Sequence, residues 1–250
     1  MLIVSTLGAP PHRRSRRARA RTAEREASPE PLPLTRLTVV TPEGLGEATE
    51  ASRWLERVAG DADAAEAFVE AAVLLVNRAL HAHATAAQDP YTTEVSASQA
   101  VATRIGYGEG EQVADGRWTD ARELIRREPR RRRADSLMPQ EHVAAVLGGR
   151  ARVDPCETLL LRARLDLDQG RTREAALQLR AGLDALLAEP RQSGASQAED
   201  LAALEQRQGA IARAAQVALG GDLDDAVAAQ LREALQLAER ALRRRRLRSE

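Results

Sequence analysis

SQAEDLAALEQRQGAIARAAQVALGGDLDDAVAAQLREALQLAERA, residues 196–241, decides the fold class. Leu201, Leu204, Gln208, Ile211, Ala215 and Ala218 recur at steps of three and four, the period of one helix face. Ser196 with Glu199 has capping-box spacing at the start of that run. Gly220-Gly221 turns the chain, Asp222 offers a cap, and Val227, Leu231, Ala234, Ala238 and Ala241 repeat the same steps. Two helices of about twenty residues joined by a tight turn form an antiparallel hairpin.

The segment upstream predicts a second hairpin. Asp154, Pro155 and Glu157 supply a cap, an N1 proline and an acidic N3 residue for a helix reaching Asp168. Gly170 turns the chain into a helix over about Arg173–Ala188. Ala163, Gly170, Ala175, Leu179 and Gly182 stand where tetratricopeptide-type units place their small and large packing residues. Residues 156–188 therefore resemble one tetratricopeptide unit, with Asp166 at the position that family fills with an aromatic residue and no neighbouring copy. The resemblance implies a helix–turn–helix used for packing and protein contacts.

Nearer the N-terminus, Glu47–Val58 predicts a helix ended by Gly60, and Asp61 or Asp63 caps another running to about Ala87. Phe68, Ala72, Leu75, Ala79, Ala82 and Ala86 make one apolar stripe of that helix; Val69, Val73, Val76, Leu80 and His83 make a second. So broad a face predicts a helix in the middle of a bundle, with Phe68 and Trp54 in the core. Ser96 with Gln99 predicts a helix through Val101 and Arg104, and Thr119–Arg127 a short charged helix. Pro139 opens another, closed by Gly148-Gly149. Leu37–Thr41 is the one β-like run, and no partner for it is evident.

The whole reads as all-α: an irregular helical bundle followed by antiparallel helical hairpins, with a disordered basic arm in front. The divisions are 1–35 (the Arg/Pro-rich arm), 36–128 (a helical module carrying all five aromatic residues), 129–150 (basic linker and short helix), 151–190 (hairpin) and 196–250 (hairpin with a basic tail).

Composition narrows the function classes. All 37 basic residues are arginine, as a GC-rich bacterial genome would write them, and they balance 37 acids. The charge is uneven: residues 13–25 carry net +6, and residues 126–133 and 243–248 carry +5 each, so the remaining chain is strongly acidic. Cys156 is the single cysteine, which excludes an intrachain disulfide and a cysteine-based zinc cluster. Apolar runs are too short for a membrane span, and the arginines follow MLIVSTLGA rather than precede it, the wrong order for a secretion signal. The cytoplasm is the expected compartment.

Few residues carry chemistry. The glycine-rich stretch GYGEGE lacks dinucleotide-loop spacing and has acids where phosphate would sit. It is nonetheless flanked by the aromatic residues left outside the core. Tyr91, Tyr107, Glu109, Glu111, Asp115 and Trp118 form the candidate binding surface for a cation or a basic partner. His81 and His83 are the only metal candidates, and on a helix positions i and i+2 lie about 200° apart, which faces their rings away from each other. No catalytic constellation and no cofactor motif is present. Arg13, Arg14, Arg16, Arg17, Arg130, Arg131, Arg132, Arg133, Arg243, Arg244, Arg245 and Arg246 are the candidates for phosphate-backbone contact. No nucleic-acid-binding fold accompanies them. Ala/Leu hairpins with a narrow apolar seam predict self-association, so the expected function is that of a homo-oligomeric interaction or scaffold protein. Nucleic-acid association is the alternative, and a metalloprotein or enzyme around His81, His83 and residues 109–120 the third.

Overall fold

The computed structural model of the chain describes residues 1–7, 33–41, 43–124, 133–188 and 195–246. The fold is predominantly helical, with seven α-helices and two short antiparallel strand pairs among those residues. It divides into two compact units, residues 1–128 and 129–250.

The second unit holds most of the buried apolar residues. Helix α3 spans Arg133–Leu147, beginning before Pro139 and within the segment read as a linker. Helices α4 (Pro155–Asp168), α5 (Thr172–Ala188), α6 (Ala195–Gly220) and α7 (Asp225–Arg246) follow. Each of these four packs on the next, and α7 returns against α4 and α5, closing a four-helix bundle. Leu160, Leu179, Leu183, Leu204, Leu231 and Leu235 fill its centre, with Ala163, Ala175 and Ala238 letting the helices approach closely. The Asp154 carboxylate and Glu157 form the expected capping box on α4, around Pro155. In α7 the cap is Asp224, which accepts from the Val227 N–H at 2.7 Å; Asp222, two residues earlier, is not the cap.

The first unit departs more from expectation. Its arm does not begin disordered: Leu2–Leu7 is a strand, β1, paired antiparallel with β2, Leu34–Val39. Both are short runs rich in β-branched and aliphatic residues, and each supplies the backbone partners the other lacks. Helix α1 (Ala48–Gly60) packs on α2 (Ala62–Ala87), which Asp61 caps by accepting from the N–H groups of Asp63 and Ala64. The capping box of Ser96 and Gln99 is present, yet it opens only a 3₁₀ turn at Ala97–Gln99. The chain then runs as strand β3 (Arg104–Tyr107), paired antiparallel with β4 (Asp120–Glu123), where a second helix was expected. Gly106 accounts for this: a side chain there would press on the Asp120 carbonyl, so its absence lets the two backbones meet.

Helix α2 is not the centre of a bundle. Only Ala65, Val76 and Asn77 along it are buried, while Phe68 is 44% exposed and Leu75 is 39% exposed. Trp54 is half-buried and meets Phe68 edge-on at 5.8 Å, so the two expected core aromatics form a superficial pair. Asn77 is the polar fixture of this unit. Its side-chain amide donates to the Val95 carbonyl at 2.9 Å, and its oxygen accepts the Val95 N–H at 2.8 Å, pinning the extended segment that leads to the 3₁₀ turn.

No helix among the described residues is long and apolar enough to cross a membrane.

Candidate functional site

The β3–β4 hairpin positions five of the six candidate binding residues. Tyr107 ends β3 opposite Asp120, and its carbonyl accepts the Thr119 N–H at 2.8 Å. Between the strands the chain makes a 3₁₀ turn at Gly110–Gln112 and buries Val113. Gly116 takes a left-handed φ of 77° beside the Arg36 guanidinium, which donates to the Asp115 carbonyl at 3.2 Å and to the Ser5 hydroxyl at 3.2 Å. The loop is thus tied to the β1–β2 ribbon.

Its acids do not converge. The Asp115 carboxylate pairs with Arg117 at 3.6 Å and Asp120 with Arg122 at 3.1 Å, both near solvent. Glu109 is exposed, and the backbone of Glu111 lies in the 3₁₀ turn. Trp118 is half-buried beside the hairpin, whereas Tyr91 follows α2 and is 87% exposed. Among the described residues no three metal-ligating side chains come together. His81 Nδ1 lies 3.6 Å from Glu94, and His83 is an exposed neighbour of Asp89. The Tyr91 N–H and Thr92 hydroxyl hold the Asp89 carboxyl below its ordinary range, with a smaller contribution from His83. This is an ordinary turn after a helix.

The arginine candidates fall into three groups. Arg13, Arg14, Arg16, Arg17, Arg130, Arg131 and Arg132 lie outside the described residues, and the side chains of Arg133 and Arg246 are likewise outside them. Of the remaining three, Arg244 and Arg245 are engaged within the bundle, whereas Arg243 is exposed. Arg244 donates to Asp200 at 2.6 Å, Arg245 to Asp154 at 2.5 Å, and Arg243 sits 4.0 Å from Glu239. Asp200 is buried and also accepts from Arg240. The C-terminal basic run thereby fastens α7 to the start of α4 and of α6, and bidentate Arg164–Glu239 contacts at 2.9 and 2.7 Å add a second α4–α7 tie.

A third polar tie crosses from α5 to α6. Burial raises the Asp184 carboxyl, but hydrogen bonds from Gln208 Nε2 at 2.8 Å and Arg180 Nε at 2.6 Å outweigh it and leave the group below its usual value. A depressed folded-state value stabilises the fold above the unfolded carboxylate pKa, and that contribution is lost as pH falls through the folded one. Asp184→Asn is therefore expected to melt lower than the native chain at pH 7, with the gap closing towards acid. A gap that stays constant with pH in thermal scans would remove this role.

The largest unexplained feature is the outward face of α2. Phe68, Leu74 and Leu75 are exposed on it, with Ala71, Ala79 and Ala82 between and around them. Periodicity revealed the apolar stripes, but it could not report what covers them. The neighbours did carry a signal: residues 36–128 contain no second long apolar helix to cover a two-striped one.

Fold and surface together define a predominantly helical protein, with a unit built on a four-helix bundle and a mixed unit that displays an apolar helix face. Comparison with protein-family models, curated proteins and solved structures found no match to this chain.

Proposed function

We propose that this chain is a non-catalytic helical interaction protein that assembles with copies of itself and acts as a scaffold. The observation that carries the reading is the exposed apolar face of α2. A helix that leaves Phe68 and Leu75 open to water while burying an amide on its other side is built to be covered. The bundle supports the reading from the other direction. It closes its own core and engages Arg244 and Arg245 in ion pairs of its own. The tetratricopeptide-like spacing in α4 and α5 belongs to the same reading, since hairpins of that kind present faces to other proteins.

Self-association couples stability to concentration, because only the folded state assembles. The midpoint of thermal unfolding of the intact chain is expected to rise steadily as protein concentration is raised a hundredfold. A midpoint independent of concentration, with a monomer throughout, would be incompatible with the proposal.

A further inference from the structure

We infer that assembly runs through α2, packed antiparallel against α2 of a second copy about a two-fold axis at Leu75. The inference rests on the self-association reading above and assigns its surface. Helix α2 has 26 residues and is about 39 Å long at 1.5 Å per residue. Ala65, Val76 and Asn77 mark the side that packs within the unit. Phe68, whose ring also meets Trp54 edge-on, Ala71, Leu75, Ala79 and Ala82 follow at steps of three and four along one exposed stripe, and none is charged.

Three observations choose a second copy as the occupant. The first is size. In an antiparallel pair centred on Leu75, position n faces position 150 − n of the partner. Leu75 then meets its own copy, Ala71 meets Ala79, and Phe68, the largest side chain of the stripe, meets Ala82. Bulky residues oppose small ones along the seam, so the surface is complementary to itself, as a two-fold interface requires. The second is charge. Asp61, Asp63, Glu66 and Glu70 make the first half of the helix acidic, with no base among them. Arg78 is the one formal positive charge of the second half, which has no acid of its own before Asp89, although Glu94 approaches His81 at 3.6 Å. Antiparallel packing lays the acidic half beside the half that carries Arg78 and opposes the helix dipoles, whereas parallel packing would stack acid on acid. The third is the core. Among the described residues of the first unit only Ala51, Leu55, Val58, Ala65, Val76 and Val113 are buried apolar residues. A second helix on α2 would add apolar cover to its exposed stripe.

The test uses the intact chain carrying single cysteines on the stripe; the native Cys156 is fully buried. Ala71→Cys and Ala79→Cys proteins, one of them tagged, are mixed and mildly oxidised. The antiparallel register predicts that the mixed disulfide dominates and that each variant alone crosslinks poorly. Leu75→Glu is expected to give a monomer of unchanged helix content, since Leu75 is 39% exposed and its charge can reach water in the monomer. If Leu75→Glu still assembles, or if each cysteine variant crosslinks mainly to itself, the α2 pairing is overturned while self-association stands. A native chain that is monomeric at every concentration overturns both.

Discussion

Leu179→Ala is expected to lower the unfolding free energy of the bundle by about 2–5 kcal/mol, because the residue is 0% exposed and its removal leaves a cavity. Leu179 lies on α5, the helix that touches α4, α6 and α7 alike, so no neighbouring helix can collapse into the space without leaving another partner. The matching change in the other unit, Phe68→Ala, is expected to cost the unassembled chain about 1 kcal/mol or less. It truncates a half-open ring whose aromatic contact is a single edge-on pair with Trp54. The chain offers a convenient division of signals. Both tryptophans, Trp54 and Trp118, lie in the first unit, whereas the four long bundle helices contribute most of the helical signal in circular dichroism. Leu179→Ala should shift the circular-dichroism transition in urea and leave the tryptophan transition in place. An unchanged helical midpoint would mean that Leu179 is not at the centre of the core.

Asp166→Ala is expected to cost a further large amount, about 3–5 kcal/mol, by leaving a cation without its carboxylate. Asp166 is buried at the end of α4, accepting from Arg171 Nε at 2.7 Å and from Gln178 Nε2 at 2.6 Å. The Arg171 backbone N–H also bonds to the Asp166 carbonyl at 2.8 Å, so side chain and main chain hold the turn around Gly170 together. Gln178 Oε1 is already buried with no hydrogen-bond partner, so the cluster has little tolerance for losing another contact. Because the loss comes mainly from the stranded guanidinium, Asp166→Ala with Arg171→Ala should recover part of it. Equilibrium urea titrations of the two single variants and the double variant measure the coupling directly. A single-variant loss below about 1 kcal/mol would show that the pair is solvated after all.

These two residues also show why the bundle was legible in the sequence and the first unit was less so. Helices α4 to α7 announce themselves through local devices: a cap, an N1 proline, a glycine turn and a period of three and four. Each acts within a few residues of where it is read. Strand β1 gives no such signal, because its partner β2 lies across the intervening arginine-rich segment, and pairing is a non-local property. Strand β4 is written Asp-Ala-Arg-Glu, residues that favour helix; the close approach at Gly106 overrides that preference. The α2 stripes were visible, yet amphipathicity says only that a face is apolar. The candidate surface was located by its aromatics near the glycine-rich loop, and the structure brings Tyr107, Glu109, Glu111, Asp115 and Trp118 onto one hairpin, where Asp115 pairs with Arg117 rather than with its acidic neighbours. No signal in the residues distinguished Asp166 as a buried anchor, except that it occupied a position where the resembling unit has a ring.

The central claim is that this protein works as an assembly of its own copies. Light scattering of the intact chain over a range of micromolar concentrations tests it most directly. The account predicts a mass at least twice the 27.1 kDa of one chain, falling towards 27.1 kDa on dilution or with Leu75→Glu. A mass of 27.1 kDa at every concentration would contradict it.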